Sequence, residues 1–162
     1  MFVRSAYEVQ KTYDSIGTIK RLSDRIVGIG PINIIGLDGL LSWVPVPGVA
    51  AGYSIIASLF ILINAVRVRI SPITFVQTLI VLSIDAGISG FDGIIPLLPV
   101  SGLADTLFQG HLYAAHIVQK EIEKTLYIEE SGREAYASGR HKDHLATLKS
   151  TRGKKRLVYL LP

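Results

Sequence analysis

The chain has no cysteine, which removes disulfides, thiolate metal sites and cysteine nucleophiles and leaves the redox compartment open. Positive charge is missing over long stretches: Lys and Arg are absent from Ile26 to Val66 and again from Ile70 to Gln119. Between those tracts stand only Arg67 and Arg69, and the only other formal charges from Ile26 to Gln119 are Asp38, Asp85, Asp92 and Asp105. The first residues, "MFVRSAYEVQKTYDSIG", lack a continuous apolar core and do not read as a secretory signal. Glu8 and Asp14 also count against a transit peptide. No Gly-rich phosphate loop follows a strand, no serine nucleophile has a plausible base, and the paired Glu129–Glu130 sits in a polar tail. The expectation is therefore no enzyme, no cofactor and no metal. His111 and His116 are five apart, off one helical face, and His141 and His144 belong to the tail; solvated or partner-bonded histidines are expected.

What is present is apolar. Of 162 residues 49% are hydrophobic and the mean hydropathy is +0.40, in a length suited to one domain. Polar termini around an apolar centre make a membrane protein's charge map. Three regions follow: an amphipathic N-terminal helix over 1–25, a membrane domain over 26–125, and a polar, basic tail over 126–162. In the first, Phe2, Ala6, Val9, Tyr13 and Ile16 share one helical face, and Gly17 is expected to interrupt or bend the helix. It suits a membrane surface, a partner, or a place as a surface helix of the same protein. The clearest element is 48–66, long enough to cross the hydrocarbon layer at ~1.5 Å per residue. Small residues crowd its first half, which should face protein rather than lipid. Pro72 fits the first turn of the next helix, 73–90, and the short link makes the two antiparallel neighbours. A final helix is expected over 102–125. The tail, with its "HKDH" and "RGKKR", is expected to order only against something outside the chain.

The centre repeats itself. "DGLLSWVPVPGVA" (38–50) returns as "DGIIPLLPVSGLA" (92–104), with Asp38/Asp92, Gly39/Gly93, Pro45/Pro99, Val46/Val100, Gly48/Gly102 and Ala50/Ala104 identical. An aspartate can cap a short helix. Pro45 or Pro99 then stops that helix, and Gly48 or Gly102 permits a tight reversal into a long one. The fold class expected is all-α: integral-membrane helical hairpins from two tandem short-helix, Pro-Val-x-Gly turn, long-helix repeats, about 36–66 and 90–120. Two crossings at least are expected, four if 30–44 and 102–120 also span. The basic residues of both ends would then share one side with Arg67 and Arg69.

These motifs resemble the membrane-protein family catalogued as domain of unknown function 4112 over roughly residues 20–122. Gly36, Leu37, Asp38, Leu40, Leu41, Pro45 and Gly48 match its first motif, and Pro99, Val100, Gly102, Asp105 and Phe108 resemble its second. The acid that the family carries after each turn glycine is replaced here by Val49 and Leu103. The resemblance implies a fold and a membrane location, and no activity.

An acid within an apolar span is a functional candidate. Asp38 and Asp92 sit where N-caps belong and Asp105 in a first helical turn, so capping competes with ion binding there. Asp85 lacks that explanation, although Gly87 and Gly90 suggest a helix fraying toward water. Arg67, Arg69, Arg152, Lys154, Lys155 and Arg156 are expected to touch lipid headgroups or a partner, and nucleic acid is not expected. The reading is a non-catalytic accessory subunit of a larger membrane assembly, bound to lipid and other subunits. A mitochondrial inner membrane with an energy-converting respiratory or ATP synthase complex is the expected setting, and a bacterial plasma membrane fits equally well. The alternative is a small transporter or channel with Asp85 and Asp92 on its pathway.

Overall fold

The computed structural model describes residues 1–24, 27–29, 32–35, 49–91 and 110–162. The repeat's turn residues Pro45, Gly48, Pro99 and Gly102 lie outside these, as do Asp38, Asp92 and Asp105. In chain order the elements are α1 (Ala6–Asp24), β1 (Val27–Ile29), β2 (Ile32–Ile35), α2 (Val49–Arg67), α3 (Pro72–Phe91), α4 (Gly110–Lys124), β3 (Thr125–Ser131), α5 (Gly132–Ala137), α6 (His141–Ser150) and β4 (Arg156–Leu161).

The start of α1 is set by Ser5, whose Oγ accepts the Glu8 N–H at 3.2 Å, while Glu8 Oε2 accepts the Arg4 N–H at 2.6 Å. The helix runs unbroken through Gly17. The expected bend does not form because Gly17 serves packing instead: a Cβ there would meet Gln119 Nε2 at 3.0 Å. The buried face is Val9, Thr12 and Ile16, and it lies on α4 rather than on anything external. Phe2, assigned by periodicity to the same face, stays exposed and stacks under the Arg69 guanidinium at 5.0 Å.

Helices α2 and α3 form the expected hairpin, and its tip has identifiable caps. Ile70 N–H bonds Ala65 C=O at 3.2 Å and Arg69 N–H bonds Val66 C=O at 3.0 Å, with Arg69 at φ 54°. That is a Schellman ending, and its apolar pair, Ala65 and Ile70, is buried. Ser71 then caps α3, its Oγ accepting the Thr74 N–H at 3.2 Å, with Pro72 at the first helical position. Helix α4 lies against α1, α2 and α3. Ala114, Ala115, Val118 and Ile122 fill that junction, and the small residues allow close approach. Among the described residues no helix is long and apolar enough to cross a membrane, so neither hairpin helix by itself establishes the crossings expected of 48–66 and 73–90.

Two findings correct the all-α expectation. β1 and β2 pair antiparallel, within the Gly- and Pro-rich stretch that a straight helix could not use. The tail is not a segment waiting for an external partner. β3 pairs parallel with β4, Thr125 opposite Arg156 through Ile128 opposite Tyr159, and α5 and α6 provide the long crossover that parallel strands need. Val158 and Leu160 are buried, so the terminal apolar run "LVYLLP" contributes a strand to a cap over the hairpin tip. Its ties are specific: Arg69 donates to the Tyr159 and Leu160 carbonyls at 2.5 and 3.3 Å, Tyr127 O–H donates to Val68 C=O at 3.1 Å, and Val3 N–H bonds Arg67 C=O at 3.1 Å. The N-terminus, the hairpin tip and the C-terminal strand thus meet at one end.

Candidate functional site

Asp85, on α3, is 3% exposed. The expected fraying toward water does not occur there, because α3 continues to Phe91 and α4 begins directly against the carboxylate. Gly110 N–H donates to Asp85 Oδ1 at 2.9 Å, and Asp85 Oδ2 lies 3.1 Å from His111 Nδ1. This second contact is oblique, an ion-pair approach rather than a straight hydrogen bond. His111 is 1% exposed, and its Nε2 lies 3.3 Å from Ser58 Oγ on α2. Ser58 itself is half-buried. A hydroxyl, an imidazole and a carboxylate from three helices therefore meet at the α2–α3–α4 junction.

Local sequence explains each part separately. Gly110 has to be glycine, since a Cβ would fall 2.4 Å from Asp85 Cβ. The next residue, His111, then points into the junction from the first turn of α4. Ala57 and Ile61 are buried beside Ser58 on α2, which turns that face inward. An ionised Asp85 only accepts hydrogen bonds. Having taken the Gly110 N–H on one oxygen, it favours the His111 tautomer with the proton on Nδ1. Nε2 is then the acceptor for the Ser58 hydroxyl, and the arrangement can move a proton from hydroxyl to imidazole. Sequence reasoning named Asp85, weighed His111 only as a metal ligand and expected it solvated or partner-bonded, and passed over Ser58. The missed signal was Gly-His at a helix start opposite an acid in an apolar helix.

The predicted contact cations divide. Arg69 is committed to β4, Lys154 Nζ donates to Thr125 C=O at 2.8 Å, and Arg156 lies 3.5 Å from Glu121. Their work is to hold the cap on the hairpin. Arg67, Arg152 and Lys155 are exposed, and the Arg67 guanidinium donates to Asn64 Oδ1 at 3.4 Å. His116 is also exposed. His141 and His144 both place Nδ1 on Tyr159 O–H, at 2.9 and 3.0 Å, with Glu130 3.6 Å from His144, so the tail histidines tie α6 to β4. Glu123 accepts from Tyr13 O–H at 2.8 Å. Lys120 beside it holds that carboxyl below its usual range.

No family model matches the chain, and neither the curated proteins nor the solved structures yield a match, so the likeness to the uncharacterised membrane family rests on the motif residues alone.

Proposed function

We propose that the chain is a membrane-embedded scaffold, a helical hairpin set in lipid with its α/β cap at the surface, acting as an accessory subunit of a larger membrane assembly. One observation carries this reading: α2 and α3 are inside out. Their polar side chains Asn64, Thr74, Thr78 and Asp85 are buried, while Ile55, Ile56, Leu59 and Ile63 of α2 and Ile73, Val76, Ile80 and Ile84 of α3 are exposed. Ile56 and Ile73 reach 70% and 73% exposure. Burying one such side chain is worth about 1.5–3 kcal/mol, so a row of them facing water is a large standing cost. The buried polar groups are satisfied locally: Asn64 donates to Phe60 C=O and Thr78 to Thr74 C=O, both at 2.8 Å. The outward faces are mostly aliphatic, with Gln77 and Ser83 as exposed polar positions on α3 and no Lys or Arg from Ile70 to Gln119, a composition that suits hydrocarbon better than a typical protein interface. Insertion in this reading is a property of the hairpin as a unit: helices of 19 and 20 residues, about 28–30 Å long, shield each other's polar faces.

The transport reading needs Asp85 on an open pathway. Its engagement with Gly110 N–H and His111 weighs against that use, and the scaffold reading is preferred.

The absence of cysteine makes the test clean. Ile56→Cys and Ile80→Cys, each reconstituted in liposomes, should resist a water-soluble maleimide, while Arg152→Cys on the cap reacts fully. Equal reactivity at all three would remove the membrane reading. Native sizing after mild-detergent extraction tests the assembly: migration with other chains supports it, and a lone monomer or homo-oligomer sinks it.

A further inference from the structure

We propose that Ser58 is a nucleophile, activated by His111 and oriented by Asp85, that accepts acyl groups from neutral esters with aliphatic chains. The atoms are matched in role: Oγ lies 3.3 Å from Nε2, Nδ1 makes its oblique ion-pair contact with the carboxylate at 3.1 Å, and the carboxylate is itself held by a backbone N–H at 2.9 Å. Nucleophile–base distances at the long end are usual before substrate arrives. Thr12, Ser15, Thr18 and Thr78 each donate to the carbonyl four residues back, whereas the Ser58 oxygen lies at the ring of a residue on another helix. Base and carboxylate are buried, and only the serine is half open. Proton transfer would therefore take place out of water, where the carboxylate acts on the ring most strongly.

The substrate class follows from what surrounds the opening. Ile55 and Leu62 stand one turn to either side of Ser58, with Leu59 adjacent. The tracts that carry all three relay residues hold no Lys or Arg. A charged headgroup has nothing to pair with there, and an aliphatic acyl chain does. In the reaction Oγ attacks the ester carbonyl carbon as its proton passes to Nε2. The tetrahedral adduct collapses with cleavage of the C–O bond, and the leaving alkoxide takes the proton from Nε2, giving an acyl-serine and an alcohol. Water then attacks in the same manner, releasing the acid and restoring the serine. Asp85 is a positioning residue, since it acts through His111.

The test uses the full chain in detergent micelles, a setting independent of the membrane reading, with decyl fluorophosphonate as probe. Oγ displaces fluoride, leaving a phosphonyl group that intact-mass and peptide analysis place on Ser58. Ser58→Ala should take up none. His111→Gln should label about 100-fold more slowly or worse. Asp85→Asn keeps the size of the side chain but presents an amide N–H to Nδ1, so it should slow labelling by about 100-fold or more. It should also move the His111 proton to Nε2, visible in the imidazole ¹⁵N spectrum; a merely structural role would not couple these two readouts. Circular dichroism establishes that each variant keeps its helices. Ser58→Cys gives a second measurement in a chain with no other thiol, and its alkylation by iodoacetamide should be faster with His111 than with His111→Gln. A folded wild-type chain carrying no phosphonyl group on Ser58 overturns the proposal. So do labelling and alkylation rates that the His111 and Asp85 variants leave unchanged.

Discussion

A Cβ placed on Gly110 would sit 2.4 Å from Asp85 Cβ and 2.6 Å from Oδ1, against a carboxylate that is itself buried. Gly110→Ala is expected to destabilise the fold by about 1–3 kcal/mol through overpacking, measurable as a lowered denaturant midpoint. It should perturb His111 at the same time. Tyr127 carries a different kind of sensitivity. Burial beneath the hairpin tip pushes its phenol up to about 12, above the ordinary value near 10. The folded state therefore holds the proton that the unfolded chain gives up. This contribution is fully present below pH 10 and is lost as the pH rises from 10 to about 12. It amounts to at most ~2.7 kcal/mol. Unfolding followed across that window should steepen with pH in the wild type and flatten in Tyr127→Phe.

At the scale of elements, the joint between hairpin and cap depends on one residue in an unusual conformation. Arg69 occupies the left-handed position that closes α2, where glycine is the usual choice. The conformation costs a side-chain-bearing residue roughly 1–2 kcal/mol. Its guanidinium offsets that cost by donating to two carbonyls of β4. Arg69→Ala keeps the strain and loses the bonds, so it should release β4 with a loss of about 2–3 kcal/mol. Arg69→Gly should lose about 1 kcal/mol less, because the strain goes too. Hydrogen exchange of the 156–161 amides reads both outcomes. Lys155→Ala, at an exposed side chain, should stay within about 0.5 kcal/mol of wild type. The hairpin was legible beforehand because α2 and α3 are set by local signals: apolar length, Pro72, and charge confined to the link. The parallel pairing of β3 with β4 was not. Thr125–Ser131 mixes Glu129 and Glu130 into its run and becomes a strand only when Arg156–Leu161, beyond two helices, comes to lie beside it.

Over the whole molecule, the cap and the hairpin depend on each other. Val3, Val68, Ile70, Val158 and Leu160 belong to one buried cluster that also contains Ile61, Ala65 and Val118. The segment 125–162 has no cysteine and falls below the ~40 residues at which chains usually sustain a core without staples. Expressed alone it should give a coil-like circular dichroism spectrum, with strand signal returning only in the intact chain. The hairpin itself turns aliphatic side chains outward along α2 and α3.

The sequence by itself determined the two long helices, the position of their turn at Arg67–Arg69 and the exclusion of thiol chemistry, because these depend on residue type and near-neighbour spacing. It also singled out Asp85, since an acid in an apolar helix is conspicuous without any coordinates. Only the tertiary structure decided that Gly17 packs rather than bends, that the tail closes over the hairpin, and that Asp85 faces His111 and Ser58. Those outcomes depend on which helix faces meet. The serine–histidine contact joins residues 53 apart in the chain, and no local periodicity records which side of a third helix will lie between them.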